Sequence, residues 1–325
     1  MPTAPGCVPG LPPVIVVGNL TVGGTGKTPV VAWLAVALRN RGLRVGLVSR
    51  GHGGRAGEAR RVHPGDSPAL VGDEPVWLAA NTGCPTAVGR DRLAAARLLA
   101  AEVDVLVADD GLQHHALPRC QEVIVVDATR PAPLGNGRCL PAGPLREPAD
   151  FVGPGQVVLL NRGTPPPAAL ADGMLPVWAR RSTVLQFGLR PVRAVNLRSG
   201  EPRDLSTFGS AIAVAGIGNP ARFFDGLRYA GIHLAATRVF PDHHAYSPTD
   251  FPVAAGGGST SPAGATGDAV AVPVLMTAKD AVKCVEFAAD HWWSVEVDVA
   301  FAPGDEERLL ARVLESLGHG ECRAR

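Results

Sequence analysis

The sequence predicts an α/β fold: a P-loop NTPase-like, doubly wound, mostly parallel sheet with a second, smaller α/β lobe joined by a short β-ribbon. Short β-branched segments alternate with alanine- and leucine-rich ones through the first half of the chain. A glycine-rich loop ending in a lysine follows the first apolar segment, and a second alternation starts near residue 211. Buried parallel strands joined by helices produce this alternation.

Five apolar segments are predicted as buried strands of the first lobe. They comprise residues 13–18, 43–49, 103–109, 122–128 and 156–161. Helices are expected between them, notably at residues 29–41 and at residues 90–101, where the sequence LAAARLLAA forms an alanine-rich face.

The sequence of the second half of the chain indicates a second lobe. The expected division is a P-loop lobe at residues 1–178, a β-ribbon linker at residues 179–205 and a C-terminal α/β lobe at residues 206–325. Successive prolines within residues 164–171 interrupt the periodicity. Two short strands joined around Arg190 and Pro191 are expected in the ribbon. Residues 255–268 are low in complexity and are expected to form a loop.

Composition and charge exclude several classes of protein. The 31 basic and 30 acidic residues leave a net charge of +1, so no nucleic-acid partner is expected. Six cysteines without C-x-x-C spacing are interpreted as reduced thiols. No apolar segment approaches the roughly 18 residues of a membrane-spanning helix, and the N-terminus lacks the features of a secretory signal. The chain is therefore expected in the cytoplasm.

Residues 18–28, GNLTVGGTGKT, are interpreted as a phosphate-binding loop between a strand and a helix. The glycines permit positive φ angles and close approach of the backbone, so that amide groups at a helix N-terminus can bind phosphate oxygens. Lys27 is expected to reach the β- and γ-phosphates, and the Thr28 hydroxyl to bind Mg²⁺. Thr21 stands where the usual motif has its first glycine. The predicted nucleotide-binding residues are Thr21, Val22, Gly23, Gly24, Thr25, Gly26, Lys27 and Thr28.

A glycine-rich turn that binds nothing is the alternative interpretation of this loop. The order of strand, glycines, lysine, hydroxyl and helix favours the nucleotide site.

A pair of carboxylates follows another apolar strand, in the sequence VDVLVADDGLQHH at residues 103–115. Phosphoryl transfer requires an acidic residue beside the metal, usually at the end of a hydrophobic strand. Asp109 and Asp110 are therefore predicted to bind Mg²⁺, although a turn or helix-capping role is an equal alternative for one of the two.

Seven further segments occur in one order along the chain: SRGHGG (49–54), VGDEP (71–75), GRDR (89–92), GNGRCLPAGPLREP (135–148), AGIGNPARFF (215–224), FPDHHAY (240–246) and VLMTAKDAVKC (274–284). Together with the loop and the aspartate pair, they resemble the family of tetraacyldisaccharide 4′-kinases, which phosphorylate the lipid A precursor. The segments span nearly the whole chain, so the combination is far more specific than a lone G-K-T.

The resemblance implies an ATP-dependent kinase of lipid A biosynthesis. Such enzymes transfer the γ-phosphate to the 4′-hydroxyl of a tetraacylated glucosamine disaccharide 1-phosphate at the cytoplasmic face of the bacterial inner membrane. The implied cofactors are ATP and Mg²⁺. The implied partners are the acylated disaccharide and, peripherally, the inner-membrane surface.

The resemblance also implies the catalytic residues. Asp73 is the implied base for the sugar hydroxyl and His243 its assistant, a role that typically contributes about 10² to 10⁴ in rate; Lys27 completes the catalytic set. Asp73 and His243 are expected to meet across a cleft between the lobes. Taken alone, the sequence around Asp73 favours a helix N-cap.

Further roles follow from the same resemblance. Glu147 is expected near the metal with Thr28, Asp109 and Asp110. The expected substrate-binding residues are Arg50, His52, Gln113, His114 and Arg146, of which Arg50 is assigned to the 1-phosphate. Guanidinium and amide donors suit phosphate oxygens, and ordinary loop hydrogen bonding is the alternative for each.

The chain departs from the family pattern in four places. Family members normally begin with several dozen more residues that help dock the membrane, so the N-terminal anchor is expected to be missing. His52 stands in place of a tyrosine, and Ala278 in place of an acidic residue. The low-complexity segment after Asp250 replaces a region that is usually more apolar.

A P-loop regulatory NTPase or metallochaperone-type switch is the alternative function. Guanine selection would require an N-K-x-D segment at a strand end, and neither residues 161–164 nor residues 277–280 fit that pattern. A protein that binds nucleotide without turnover is a third possibility. It predicts the loss of acidic residues, which here are present as Asp73, Asp109, Asp110 and Glu147.

Overall fold

The computed structural model describes residues 8–55, 57–164, 177–251 and 271–318. The chain forms two units: the first comprises Met1–Arg190 and Val297–Arg325, and the second comprises Pro191–Glu296. The expected loop at residues 255–268, and all but the first residue of the proline-rich segment 164–171, lie outside the described residues.

The described elements alternate between strands and helices. The strands are β1 (Val14–Gly18), β2 (Val45–Ser49), β3 (Arg60–Val62), β4 (Thr86–Val88), β5 (Val105–Asp109), β6 (Gln121–Asp127), β7 (Val157–Asn161), β8 (Thr183–Asn196), β9 (Pro202–Asp204), β10 (Ser210–Ala215), β11 (His233–Val239), β12 (Val274–Thr277) and β13 (Trp292–Phe301). The helices are α1 (Lys27–Arg39), α2 (Pro68–Val71), α3 (Asp73–Thr82), α4 (Arg92–Arg97), α5 (Pro220–Tyr229), α6 (Ala278–Ala281) and α7 (Asp305–Gly318).

The sheet of the first unit has the order β8-β7-β6-β1-β5-β2-β4-β3. Its paired strands run parallel except for β3, which is antiparallel to β4. All five strands predicted for the first lobe are confirmed, within two residues at each end. Apolar side chains cover both faces of the sheet in two separate core clusters, which confirms the doubly wound α/β fold.

Helix α1 begins at Lys27, immediately after Gly26, which adopts φ 93°. The helix buries Leu34 and Leu38 against the sheet, which confirms the expected helix at this position. Helix α4 is shorter than predicted, because the backbone after Arg97 continues in turns: Leu98 and Leu99 donate to carbonyls three residues earlier instead of four.

The C-terminal helix α7 belongs to the first unit, whereas the sequence placed it in a C-terminal lobe. Its side chains Leu309, Leu310 and Val313 are buried in the same core cluster as helix α1. The division of the chain therefore differs from the expected one, since an amphipathic helix from the chain's end covers the sheet of the first unit.

Strand β8 runs without interruption from Thr183 to Asn196, so the prediction of two short strands joined around Arg190 and Pro191 is wrong. A proline fits an extended backbone, and its missing N–H removes only one donor from the ladder. Strands β8 and β13 are hydrogen-bonded neighbours.

The second unit contains a parallel sheet of order β11-β10-β12-β13. One core cluster contains Phe223, Phe224 and Trp293, and another contains Phe251 and Trp292. The restart of the α/β pattern near residue 211 is thereby confirmed. Among the described residues, none of the helices has the length and apolar character that crossing a membrane requires.

Candidate active site

The phosphate-binding loop connects β1 to α1 and has the backbone conformation expected for anion binding. Gly23 and Gly26 adopt φ angles of 101° and 93°, in the left-handed region that favours glycine. Gly26 lies directly before Lys27, the first residue of α1. The loop therefore leads into a helix N-terminus, where amide groups and the helix dipole attract phosphate.

Asn19 holds this loop together from within. Its side chain is fully buried, and Nδ2 donates to the carbonyl oxygens of Thr21 at 2.6 Å and of Gly23 at 3.4 Å. Its Oδ1 accepts from Lys27 Nζ at 3.1 Å. One side chain thus fixes both the loop and the position of the lysine, a role that the sequence analysis did not identify.

Thr21 is tied to a distant segment, which explains why the first glycine of the usual motif is dispensable here. Thr21 forms a β-bridge with Leu145. On either side of it, Val22 N donates to Pro144 O at 2.9 Å, and Arg146 N donates to Leu20 O at 2.6 Å. A residue in an extended bridge needs no positive φ, so a threonine is accommodated.

Asn161, at the carboxyl end of β7, supports the loop from the other side. It is fully buried, and its Nδ2 donates to Thr25 O at 2.9 Å while its Oδ1 accepts from Gly163 N at 3.0 Å. The sequence of residues 161–164 does not fit a guanine-recognition segment and predicts only that a strand ends at Asn161. Asn161 also orders the phosphate-binding loop, through a contact that spans 136 positions of the chain.

Asp110 joins two cationic side chains of the predicted site. Its carboxylate lies 3.4 Å from Lys27 Nζ and accepts two hydrogen bonds from Arg146 Nη1, at 3.0 and 2.9 Å. Burial raises the pKa of Asp110, but the charges of Lys27 and Arg146 outweigh burial and hold the pKa below its usual range. The carboxylate is therefore ionised at neutral pH.

Asp109 is the last residue of β5 and is 1% exposed. Its backbone pairs in register with Val17 of β1, the strand that leads into the phosphate-binding loop. Asp110 follows with φ 52°, a left-handed conformation that is uncommon for a residue other than glycine. The strand end that lies next to the loop thus carries two consecutive aspartates.

The donor set fits Mg²⁺, which prefers oxygen ligands and keeps several waters. Thr28 lies next to Lys27 in the first turn of α1 and supplies a hydroxyl, while Asp109 and Asp110 supply carboxylates. In the parts of the chain that the structure describes, no group of three or more His, Cys, Asp or Glu side chains forms a metal-binding cluster. The three carboxylates predicted to bind the metal, Asp109, Asp110 and Glu147, therefore do not form such a cluster.

The segment after Asp110 carries two predicted substrate-binding residues. Gln113 Nε2 donates to Asn19 O at 3.3 Å, so this side chain touches the phosphate-binding loop. Burial lowers the pKa of His114, and the charge of Arg92 adds to this effect, so its imidazole is neutral at pH 7. Glu147, a predicted metal ligand, lies 3.7 Å from His115 Nε2.

Asp73 is the first residue of α3 and is 5% exposed. Its Oδ1 accepts from Glu74 N at 2.9 Å, and the helix N-terminus stabilises the negative charge. The residue before it, Gly72, adopts φ 96° and serves as the N-cap, so Asp73 does not occupy the capping position that its sequence favours.

The segment of Arg50 and His52 packs against the segment before Asp73. A Cβ atom at Gly72 would lie 2.8 Å from the carbonyl oxygen of His52, and one at Gly54 would lie 2.7 Å from that of Leu70. Only glycine permits backbones this close. The structure therefore brings two predicted substrate-binding residues next to the chain segment of the predicted base.

His243 belongs to the second unit and adopts φ 61°. Its backbone N–H donates to Asp242 Oδ1 at 3.1 Å. Lys279 Nζ lies 3.3 Å from His243 Nε2 and donates to Asp242 Oδ1 at 3.0 Å. Since Asp73 belongs to the first unit, the expected pairing of Asp73 with His243 stays a prediction.

Residues 277–280, with the sequence TAKD, have a structural role in the second unit. Asp280 is fully buried and accepts from Gly216 N at 2.8 Å, Thr277 Oγ1 at 2.6 Å and Lys283 Nζ at 3.0 Å. The Thr277 side chain also caps α6. Ala278, the departure noted in the sequence, is the first residue of α6 and leaves this network in place.

Comparisons with known proteins agree with this site. Residues 9–317 match the family described as LpxK, tetraacyldisaccharide-1-P 4′-kinase. A tetraacyldisaccharide 4′-kinase from Alkalilimnicola ehrlichii is 47% identical over 301 residues, which cover 92% of this chain and 82% of that protein. The corresponding kinase from Pseudomonas paraeruginosa is 44% identical, with 92% of this chain and 85% of that protein covered.

A solved structure shares the fold. The crystal structure described as the "apo" form of LpxK from Aquifex aeolicus in complex with ATP superimposes with a TM-score of 0.68. It is 25% identical in sequence, and the match covers 95% of this chain and 89% of that one. The phosphate-binding loop, the aspartate pair and the extent of these matches lead to one conclusion: the chain belongs to the tetraacyldisaccharide-1-phosphate 4′-kinase family.

Proposed function

We propose that the protein transfers the γ-phosphate of ATP to the 4′-hydroxyl of a tetraacylated glucosamine disaccharide 1-phosphate, a step of lipid A biosynthesis. The observation that carries the proposal is the convergence of Lys27 and Arg146 on Asp110, directly beside the phosphate-binding loop. Phosphoryl transfer requires cations and a metal-binding carboxylate at one place, because charge on the transferred group must be stabilised.

The loop and its neighbours bind the nucleotide in this proposal. Backbone amides of residues 21–28 bind the phosphate oxygens, and Lys27 contacts the β- and γ-phosphates. Mg²⁺ would be held by Thr28, Asp109, Asp110 and Glu147, and when bound it neutralises charge on the β- and γ-phosphates. Arg146 has a planar guanidinium that suits a phosphate oxygen as well as a carboxylate.

Asp73 is the proposed acceptor of the proton from the sugar hydroxyl, and His243 is its assistant. A base must be ionised and fixed in orientation to be effective. Burial of Asp73 and the hydrogen bond from Glu74 N fix its orientation, and the helix N-terminus favours a negative charge at this position. Contacts with Asp242 and Lys279 fix the backbone and ring of His243.

The acceptor is bound by Arg50, His52, Gln113 and His114 in this proposal. Arg50 is exposed at the end of β2 and is available to the 1-phosphate. His52 supplies an aromatic ring at the position of the family's tyrosine. The Gln113 side chain contacts the backbone of Asn19 in the phosphate-binding loop, which supports a place for the sugar near the transferred phosphate.

The protein works at the cytoplasmic face of the bacterial inner membrane in this proposal. The acceptor carries four acyl chains and resides in a bilayer, so the enzyme has to meet it at the surface. Peripheral binding can be measured by sedimentation with vesicles that contain the acceptor. Vesicles that lack the acceptor serve as the control. A protein that sediments with neither kind of vesicle would contradict peripheral membrane binding.

One experiment tests the proposed reaction. Purified protein is incubated with ATP, Mg²⁺ and the tetraacyl disaccharide 1-phosphate, and the lipid is analysed by mass spectrometry. We expect a bisphosphorylated product that Lys27→Ala and Asp73→Ala no longer form. Unchanged lipid in the presence of correctly folded wild-type protein would overturn the proposal.

A further inference from the structure

Arg92, the first residue of α4, holds the backbone of Asp110. It is 8% exposed, and its Nη2 donates to the carbonyl oxygen of Asp110 at 3.1 Å. Asp110 is one of two described residues other than glycine with a positive φ. Such a conformation persists only where the surroundings determine it. The hydrogen bond from Arg92 reaches the very residue whose backbone is strained.

Arg119, which is 3% exposed, binds the rest of the same segment. Its Nη1 donates to Leu112 O at 3.0 Å, its Nε donates to Leu117 O at 3.2 Å, and its Nη2 donates to His114 O. The same Nη1 pairs with Glu122 at 3.0 Å. The planar fork of an arginine can satisfy several fixed acceptors at once, whereas a lysine is a point charge.

Burying two guanidinium groups is unfavourable unless their hydrogen bonds are satisfied. Burial lowers the pKa of Arg92, and the charge of Arg50 lowers it further. An apolar side chain in place of Arg92 or Arg119 would be buried at a smaller desolvation cost. What the arginines supply instead is a set of donors to four carbonyl oxygens of residues 110–117.

We propose that Arg92 and Arg119 are positioning residues that hold residues 110–117 in the conformation required for the Asp110 carboxylate to face Lys27 and the magnesium–ATP complex. The inference rests on the proposed function, because it assigns Asp110 to the metal. It adds two buried residues that act through the backbone of this segment.

The direction in which Mn²⁺ affinity changes separates a positioning role from a purely electrostatic one. Removing a positive charge near a cation site strengthens cation binding by Coulomb's law. Loss of the hydrogen bonds that position the Asp110 segment has the opposite effect and weakens cation binding. The probe is Mn²⁺, whose binding is followed by electron paramagnetic resonance in the presence of a non-hydrolysable ATP analogue. For Arg92→Met we expect Mn²⁺ affinity to fall about tenfold, in the range typical of residues behind a metal ligand.

Lysine variants sharpen the test. Arg92→Lys retains a donor for a single carbonyl, so we expect it to restore Mn²⁺ affinity to within about threefold of the wild type. Arg119→Lys cannot reach three carbonyls, so we expect it to bind Mn²⁺ about tenfold more weakly. Glu122→Gln removes the ion pair but not the carbonyl bonds. We expect it to lower the melting temperature and leave Mn²⁺ affinity unchanged.

The outcomes distinguish this inference from the proposed function. Asp110→Asn is the reference, and under the proposed function it weakens Mn²⁺ binding. If it does so while folded Arg92→Met and Arg119→Lys bind Mn²⁺ as tightly as the wild type, or more tightly, the positioning role is overturned. If Asp110→Asn itself leaves Mn²⁺ affinity unchanged, the metal assignment of the proposed function is overturned.

Discussion

Arg146 donates two hydrogen bonds from Nη1 to the carboxylate of Asp110, at 3.0 and 2.9 Å. The two residues are 36 positions apart, and the backbone of Arg146 is itself hydrogen-bonded to Leu20 at the start of the phosphate-binding loop. The loop, the aspartate pair and the segment before Glu147 thus form one connected site.

Replacing Arg146 with lysine tests whether the guanidinium itself is needed. Lysine keeps the charge but loses the planar fork, so we expect kcat/KM for ATP to fall about tenfold or more, comparable to the loss of one charge-assisted hydrogen bond. Arg44→Lys is the matched control, since Arg44 also pairs with an aspartate, Asp104, but is 64% exposed. Equal effects of the two changes would contradict a specific role for Arg146.

The pH dependence of stability tests the ionisation of Asp110. Because Lys27 and Arg146 hold its pKa in the folded protein below the value of about 3.9 in an unfolded chain, the carboxylate stabilises the fold above that pH. We expect the free energy of unfolding of wild type and Asp110→Asn to differ most above about pH 5 and to converge as the pH falls below about 4.

Chemical denaturation at a series of pH values measures this difference. Asp298→Asn is the control, because its carboxylate is 62% exposed and lies 3.8 Å from Arg190. We expect that variant to follow the wild type throughout. A difference between wild type and Asp110→Asn that stays constant down to pH 2.5 would rule out the depressed pKa.

Asn161→Ala tests the support of the phosphate-binding loop. The change removes the donor to Thr25 O and leaves a buried carbonyl without that partner, which typically costs about 1–3 kcal/mol. We expect the Kd for ATP, measured by isothermal titration calorimetry, to rise about tenfold. Asn81→Ala is the control, because Asn81 also donates to a backbone carbonyl but is exposed on α3. ATP affinity within twofold of wild type for Asn161→Ala would disprove the supporting role.

Thr21→Gly restores the glycine of the common motif and is expected to be harmful. Thr21 lies in a β-bridge with Leu145 and has no need of a positive φ. Glycine increases the freedom of the unfolded chain, so we expect the free energy of unfolding to fall by about 0.5–1 kcal/mol. We expect ATP binding to stay the same or to weaken. Tighter ATP binding together with unchanged stability would show that the bridge does not matter.

Much of the site could be predicted from the sequence because its signals are local. The glycines of residues 18–28 and the lysine that follows them occur within one short segment, and their conformations depend on nearby residues. The same holds for Asp109 and Asp110, which end an apolar strand. Local patterns of this kind predict a strand end or a helix start without knowledge of the rest of the chain.

The remaining connections are not visible in the sequence because they join distant positions. Asn161 ends a predicted strand, but no local pattern at Asn161 or Arg119 identifies the backbone carbonyls to which their buried side chains donate. Helix α7 is amphipathic, but its pattern does not reveal which sheet it covers. Strand β8 contains Pro191. Because proline usually interrupts a strand, two short strands are predicted there although apolar residues flank the proline.

The central claim is that phosphate is transferred to a lipid acceptor and not simply released from a nucleotide. The most direct measurement uses ATP labelled at the γ-phosphate and compares label in the tetraacyl disaccharide 1-phosphate with label in inorganic phosphate. We expect nearly all label in the lipid, at the 4′ position, and none after Lys27→Ala. Label that accumulates as inorganic phosphate at the same rate with or without the lipid would contradict the account and favour a regulatory NTPase.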